Sequence, residues 1–229
     1  MSKFYAQLHL HTAESSACGR ESAEAMMRAC AEKGYGLVAV TDHFFNANTT
    51  SPRNLPWAER VGWLMKGYRA AKKVGDELGI AVLFGWETDN GGPEVLTYGL
   101  GEEYLLQHPD IADWDLERYA RETRAAGAFL AHAHPYRQAY YIRPFKPRPE
   151  LYDAIEVHNA HHHHKGHSEW DAQALRLAHR HGLLMTAGAD AHKTDEVGFG
   201  AMELPWPVDD LDGLVAALRS GRTRIIEKL

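Results

Sequence analysis

Short apolar runs alternate along this chain with longer stretches in which apolar residues recur every three or four positions. The runs have the length of buried strands and cover residues 37–40, 80–84, 128–131, 154–157 and 183–187. The helical stretches cover residues 23–33, 57–78, 113–126, 168–181 and 211–219. Further strands are expected at residues 7–12, 94–100 and 223–226. Strands that alternate with helices in this way indicate parallel βαβ units in an α/β domain.

Residues able to bind metals follow most of the apolar runs directly. The loops after the strands of a parallel barrel gather at one rim, whereas the strand ends of an open sheet are spread along an edge. The repeated strand-to-helix alternation favours the barrel, so these residues are expected to converge. They are His9, His11, His43, Glu87, His134, His158, Asp190 and His192.

The first strand carries two histidines at alternate positions, in the sequence Gln-Leu-His-Leu-His-Thr. Alternate side chains of a strand share a face, so His9 and His11 can point the same way while Leu8 and Leu10 turn into packing. Two imidazoles on one face suit a metal ion.

The set of candidate ligands is larger than the roughly four to six donors that one ion takes. It indicates two or three divalent ions, and imidazole and carboxylate ligands suit zinc, manganese or iron. Glu87 is the bridging candidate because it is the carboxylate in the middle of the set. A centre of this kind uses a metal-bridging hydroxide as the nucleophile and binds phosphoryl oxygens, which predicts hydrolysis of phosphate esters.

Composition narrows the expected partners. The formal net charge of −6 does not favour polymeric nucleic acid or an anionic membrane surface. Cys18 and Cys30 fit neither a redox pair nor a zinc knuckle, and free thiols are typical of a reducing compartment. The sequence has no apolar run of membrane-spanning length and no signal peptide, so a cytoplasmic location is expected.

Five motifs resemble, in order and spacing, those of the PHP (polymerase and histidinol phosphatase) superfamily. They are Leu-His-Leu-His-Thr at 8–12, Thr-Asp-His at 41–43, Glu87, Ala-His-Pro-Tyr-Arg at 133–137 and Ala-Asp-Ala-His at 189–192. The resemblance covers nearly the whole chain and implies one domain over residues 1–229. It implies a distorted (β/α)7 TIM-like barrel, with the metal site at the C-terminal ends of the strands, and a metal-dependent phosphoesterase.

The resemblance also distributes the ligands among the ions. One ion would take His9, His11, Glu87 and Asp190; Glu87 would bridge to a second that takes His134 and His158; His43 and His192 would hold a third. Related trinuclear enzymes usually place an Asp or His shortly after the His-x-His-Thr turn, where this chain has Ser16 and Ala17. Glu14 is the nearest replacement, with Cys18 behind it.

Other residues are candidates for catalysis or substrate binding. Asp42, next to His43, is expected to orient a ligand or carry a proton, and His132 could share a face with His134. Arg137, Arg143 and Arg20 are candidates for binding phosphate, because guanidinium presents a planar fork to it. The histidines at 161–164 are expected to form a surface loop without required chemistry.

The expected substrate is a small phosphorylated metabolite. Phosphomonoesters such as histidinol phosphate, a sugar phosphate or a nucleotide are favoured, and phosphodiesters or cyclic phosphates remain open alternatives at the same site. An amidohydrolase-like enzyme that cleaves C–N bonds would also begin with His-x-His, but it usually needs a bridging lysine where this chain has Glu87. A non-catalytic metal-binding or sensory module is a third alternative.

Overall fold

Nine strands form one sheet in the computed structural model, which describes residues 3–140 and 142–229. The strands are β1 Phe4–Gln7, β2 Leu37–Val40, β3 Ala81–Asp89, β4 Glu94–Tyr98, β5 Phe129–Ala133, β6 Ala154–Asn159, β7 Leu184–Gly188, β8 Phe199–Leu204 and β9 Arg224–Lys228. The helices are α1 Ala23–Glu32, α2 Trp57–Leu78, α3 Glu102–Gln107, α4 Leu116–Ala125, α5 Ala160–Lys165, α6 Ser168–His181 and α7 Leu211–Arg219.

The sheet curls into a nearly closed barrel with the order β7-β6-β5-β4-β3-β2-β1-β8-β9. Parallel pairing joins β1, β2 and β3, and also β5, β6 and β7. Leu10, just beyond β1, pairs in parallel with Ala191, just beyond β7, so the ring closes at the C-terminal ends of the strands. This architecture confirms the predicted α/β barrel.

Three strands depart from the simple βαβ pattern. β4 is antiparallel to β3 and β5, and β8 and β9 extend the sheet from β1 in antiparallel fashion. The β3–β4 connection is a tight turn in which Asp89 Oδ1 accepts hydrogen bonds from the amides of Gly91 and Gly92. Such a short connection joins antiparallel strands, because a parallel pair needs a long crossover.

Several elements match the sequence prediction, and a few were missed. The predicted bounds of β2, α2, α6 and α7 are those observed. The helix predicted from residue 113 begins at Leu116, because Asp115 caps it by accepting from the Arg118 amide at 2.8 Å. The sequence reading did not find α3, β8 or α5, and α5 contains the histidine run that was expected to form a loop.

The barrel interior is apolar at one end and polar at the other. Side chains of β1, β2, β5 and β7 join Leu214, Val215 and Leu218 of α7 in the interior cluster. The remaining helices pack outside the sheet in separate clusters. The polar residues are gathered at the C-terminal ends of the strands.

None of the helices within the described ranges has the length and apolar character needed to cross a membrane.

Candidate metal centre

Four imidazole rings surround the carboxylate of Glu87. Its Oε1 lies 3.0 Å from His134 Nε2 and 3.4 Å from His9 Nε2, and its Oε2 lies 3.1 Å from His43 Nδ1 and 3.4 Å from His11 Nε2. All five side chains are buried. The central carboxylate expected from the sequence thus faces ligands from the ends of β1, β2, β3 and β5.

Asp190 completes the inner part of this cluster. Its Oδ1 lies 3.4 Å from His9 Nε2 and 3.3 Å from His11 Nε2. Asp190 and His134 have positive φ angles of 53° and 30°, a region that non-glycine residues seldom adopt. The turns after β5 and β7 therefore hold strained residues that aim their side chains at the cluster, as is common at functional sites.

Hydrogen bonds outside the cluster orient the rings of His9 and His11. Glu156 Oε1 accepts from His9 Nδ1 at 2.8 Å, so this nitrogen carries the proton. Ser16 Oγ uses its hydrogen on Asp42 at 2.6 Å, so it must accept from His11 Nδ1 at 3.2 Å. In the neutral rings both Nε2 lone pairs then face the cluster. The sequence did not predict an orienting role for either residue: Glu156 lies in no recognisable metal motif, and Ser16 was noted only as a position where related enzymes have a ligand.

The centre is built from hydrogen-bond acceptors and suits a cation. The two Nε2 atoms lie 3.2 Å apart, with carboxylate oxygens of Glu87 and Asp190 beside them. Two imidazoles at the usual zinc–nitrogen distance would have their nitrogens roughly 3.3 Å apart at a tetrahedral angle. The sets of ligand atoms that lie close enough to hold an ion include His9, His11 and Asp190; His9, Glu87 and His134; and His11, His43 and His192.

Neighbouring carboxylates raise the pKa of two groups at the centre, His9 and Glu94. Burial would lower the pKa of His9, yet the carboxylates of Glu156, Asp190 and Glu87 raise it well above its usual value. Burial and the charge of Glu87 raise the pKa of Glu94 well above its usual range. His9 and Glu94 therefore favour their protonated forms, whereas burial lowers the pKa of His11, His43 and His134 and favours the neutral rings that bind divalent ions.

Glu94 is a site residue that the sequence did not indicate. It begins β4, lines the cavity and has Oε2 3.6 Å from His134 Nδ1. Glu94 was not predicted because no sequence motif surrounds it at the start of this antiparallel hairpin strand. Its proximity to His134 follows only from the pairing of β4 with β5, in which Glu94 lies opposite Ala133.

Asp42 lies behind the ligand-bearing turn. Its carboxylate accepts from the Thr12 amide and hydroxyl, both at 2.7 Å, and from Ser16 Oγ. Burial raises the pKa of Asp42 to about 7, and the hydrogen bonds from Ser16 and Thr12 oppose the shift. A Cβ on Gly67 of α2 would lie 2.3 Å from Asp42 Oδ2, so glycine permits the helix to approach this turn closely. The geometry assigns Asp42 to holding the turn.

Three predicted site residues do not join the centre. β6 shifts register between Glu156 and His158, so that His158 Nδ1 lies 3.6 Å from Asp171 of α6. His132 stacks on Tyr152 at 4.6 Å, and neither ring nitrogen has a hydrogen-bond partner among the described residues. Both oxygens of Glu14 accept from the Ala23 amide at the start of α1. We therefore leave these residues out of the proposed catalytic and metal-binding set.

His192 and Cys18 lie next to the inner cluster. The ring of His192 stacks on that of His11 with centroids 4.6 Å apart, and its Nε2 lies 3.2 Å from Cys18 Sγ. Cys18 is the residue that the sequence offered, behind Glu14, as a replacement for the usual ligand after the His-x-His-Thr turn.

Arg137 is held by a chain of buried groups. Its Nη2 contacts Asp190 Oδ2, and its Nε donates to His162 Nε2 at 3.1 Å. His162 is buried in α5, and its Nδ1 donates to Asp171 Oδ1 at 2.6 Å. The histidine run was expected to have no required chemistry, but His162 connects α6 to the metal centre. Sequence reasoning missed it because all four histidines of the run look alike.

A cavity of about 740 Å³ opens onto the centre. Its wall includes two of the predicted phosphate-binding residues, Arg137 and Arg20, together with Lys165 and Lys193. Arg143 is exposed and is not among the lining residues. A cavity of this size accommodates a small metabolite.

Two protein-family models match the chain. One, described as PHP domain, covers residues 7–192, and the other, described as PHP-associated, covers residues 169–223. No curated protein matches the sequence significantly.

Solved structures share the fold at low sequence identity. A two-domain protein from Bacteroides vulgatus, said to contain a predicted PHP-like metal-dependent phosphoesterase, has a TM-score of 0.71 and 17% identity over 99% of this chain and 65% of its own. PsfC from Pseudomonas syringae has a TM-score of 0.62 and 19% identity, over 98% of this chain and 90% of its own. An amidohydrolase from Chromobacterium violaceum, with bound sulfate and no metal, has a TM-score of 0.59 and 17% identity, over 97% of both chains. The present chain therefore spans less than two thirds of the first of these proteins.

Proposed function

Because the chain belongs to the PHP-domain family, we propose that it is a metal-dependent hydrolase of small phosphate esters, acting on phosphomonoesters. The observation that carries the proposal is the convergence of His9, His11 and Asp190 on Glu87. These groups present only acceptor atoms to one another once the two rings are neutral. Phosphodiesters and cyclic phosphates are alternative substrates of the same site.

The residues divide the binding of two ions. His9, His11 and Asp190 would hold one ion, and His134 would hold the other, with Glu87 between them. Bound divalent ions supply Lewis acidity, which activates water near neutral pH and neutralises charge on phosphoryl oxygens. Manganese, zinc and iron all suit this donor set.

Other side chains around the proposed ion positions orient the ligands and contact the substrate. Glu156 and Ser16 hold His9 and His11, which follow β1, with Nε2 directed at the cluster. Arg137 stands beside Asp190 at the cavity wall, where a guanidinium can also meet phosphate oxygens. Arg20, Lys165 and Lys193 also line the cavity and can contact anionic groups of a substrate.

The test compares wild-type protein with Glu87→Gln in a phosphate-release screen. The substrates are sugar phosphates, nucleotides, cyclic phosphates and histidinol phosphate, with manganese present. We expect the variant to lose more than about 100-fold in activity, because loss of a direct ligand should exceed the effect of losing an outer partner. Metal content, measured by mass spectrometry, should fall in parallel.

Two results would contradict the proposal. Full activity and full metal content in Glu87→Gln would remove Glu87 from the centre. Release of ammonia or an amine, without phosphate release from any substrate, would favour the C–N hydrolase alternative that the sequence left open.

A further inference from the structure

Cys18 lies at the cavity wall with its sulfur directed at His192. The Sγ atom is 3.2 Å from His192 Nε2. His192 Nδ1 lies 2.8 Å from the carbonyl oxygen of Asp190, which can only accept, so Nδ1 carries the proton of the neutral ring. The lone pair of Nε2 therefore faces the sulfur. A thiol proton or a metal ion can occupy this position.

A second observation points to an ion beside His192. His43 is only 8% exposed and lines the cavity with Cys18. Its Nδ1 has no hydrogen-bond partner within the described ranges, although it lies 3.1 Å from Glu87 Oε2. The ligand atoms of His11, His43 and His192 lie within 4.8 Å of one another. A buried ring nitrogen therefore faces this side of Glu87 without a hydrogen bond.

Two oxygen-bearing side chains close to Cys18 in the sequence, Glu14 and Ser16, are already engaged in hydrogen bonds. Glu14 points both carboxylate oxygens at the Ala23 amide. Ser16 Oγ donates to Asp42 and accepts from the His43 amide at 2.9 Å, besides its contact with His11. These contacts leave Cys18 as the side chain after the first-strand turn that can complete a site with His192.

We propose that Cys18 binds a third metal ion as a thiolate, together with His192 and His43. The site rests on the proposed two-ion centre, which it adjoins through His11 and Glu87. When the metal binds, the S–H bond breaks, the proton passes to water, and a sulfur–metal bond forms. At the usual zinc distances, sulfur and nitrogen would be roughly 3.5 Å apart at a tetrahedral angle, so the observed pair needs little adjustment.

The sulfur donor sets the class of metal. Thiolate favours zinc, iron(II) or cobalt(II) over manganese and magnesium, which prefer oxygen ligands. Burial, with the charges of Asp190 and Glu87, raises the pKa of Cys18 to about 12. The centre would then hold two ions with oxygen and nitrogen ligands and a third ion bound by the thiolate.

Cobalt substitution tests the thiolate directly. Metal-free protein is prepared by chelation and titrated with cobalt(II), and the near-ultraviolet thiolate-to-cobalt charge-transfer band is recorded. We expect the band in wild-type protein, its complete loss in Cys18→Ala, and a fall of one metal equivalent per chain. Cys30→Ala is the matched control, because Cys30 is the other cysteine and lies fully buried in the cluster formed by α1. Glu14→Gln should also keep the band.

A replacement variant tests the choice of metal. Cys18→Asp offers an oxygen donor at the same position, so it should retain the third metal, lose the band and shift competition between zinc and manganese toward manganese. Circular dichroism checks the fold of each variant. If Cys18→Ala does not fold, Cys18→Ser gives the same spectroscopic reading, because a hydroxyl ligand produces no thiolate band.

The outcomes separate this inference from the proposed function. Absence of the band from fully loaded wild-type protein, or its persistence in Cys18→Ala, would overturn the thiolate site. Phosphate release is assayed on the same samples. A band without phosphate release would support the thiolate site and contradict the proposed function. Phosphate release without a band would support the proposed function and contradict the thiolate site.

Discussion

Glu156 accepts three hydrogen bonds at the back of the metal centre. They come from His9 Nδ1 at 2.8 Å, the His134 amide at 3.1 Å and Asn159 Nδ2 at 2.9 Å. A single buried carboxylate thereby orients two proposed ligands from different strands. Only an acceptor with two free oxygens satisfies all three donors.

Glu156→Gln should weaken metal binding without removing a ligand. The amide has one oxygen, so at least one of the three donors loses its acceptor, and His9 is no longer fixed with Nε2 inward. We expect metal affinity to fall by about 10–100-fold. Calorimetric titration of the metal-free protein with metal ions measures this affinity. Glu24→Gln, on the exposed face of α1, is the control, and an equal loss of metal affinity there would contradict the orienting role of Glu156.

His162 is predicted to act through Arg137. Removing the ring leaves Arg137 Nε without its acceptor, so the guanidinium is less well held against Asp190. We expect His162→Ala to reduce kcat/KM for the best phosphate ester by roughly 10–100-fold. In an Arg137→Ala background the same change should have little further effect. Additive losses in this double-mutant cycle would show that His162 acts by another route.

β6 illustrates how a strand can redirect a motif residue. Strict alternation would place Glu156 and His158 on one face, but the register shift turns His158 toward α6 and brings Asn159 Nδ2 within 2.9 Å of Glu156. A bulge of this kind leaves no reliable mark in one sequence. His158 was therefore predicted as a ligand from its place after an apolar run.

His158→Ala should leave the metal centre intact. The ring lies beside Asp171 and His163 rather than Glu87, with the His158 and His163 centroids 4.6 Å apart. We expect unchanged metal content at the centre and a small loss of stability. His134→Ala is the comparison variant and should lose a metal. Loss of the same metal from His158→Ala, measured by mass spectrometry, would return His158 to the ligand set.

Closure of the barrel depends on a close approach between β7 and β8. Gly200 has a φ of 67°, and a Cβ there would lie 2.3 Å from the carbonyl oxygen of Gly188. Gly188 in turn leaves no room for a Cβ beside His9. The same close approach therefore completes the sheet and supports His9, a proposed ligand that follows β1.

Gly200→Ala should destabilise the whole molecule. Gly34→Ala is the matched control, because Gly34 also has a positive φ, 79°, but a Cβ there would meet nothing within 4 Å. The control should cost about 1–2 kcal/mol from backbone strain alone. Gly200→Ala should cost more, since strain and steric overlap add. Urea unfolding of the metal-free proteins compares them, and equal free energies of unfolding would contradict the close approach between β7 and β8.

The apolar periodicity in the sequence was sufficient for the main helices and most barrel strands. It predicted α2 and α7 at their observed bounds, because these segments are long and regular enough to carry the signal. It missed the short α3, and it read the histidine run of α5 as a loop. A helix of six residues contains too few turns for its apolar spacing to stand out.

The sequence by itself determined the chemistry of this protein, because ligand types and their places after buried strands are local properties. His9, His11, Glu87 and Asp190 were identified in this way and are brought together by the fold. Only the tertiary structure decided which other residues contact these ligands. Glu156, Glu94 and His162 reach the centre through strand pairing and helix packing, whereas Glu14 and His158 point elsewhere. Side-chain direction depends on register, turns and contacts between distant segments, and these are long-range interactions that one-dimensional spacing does not contain.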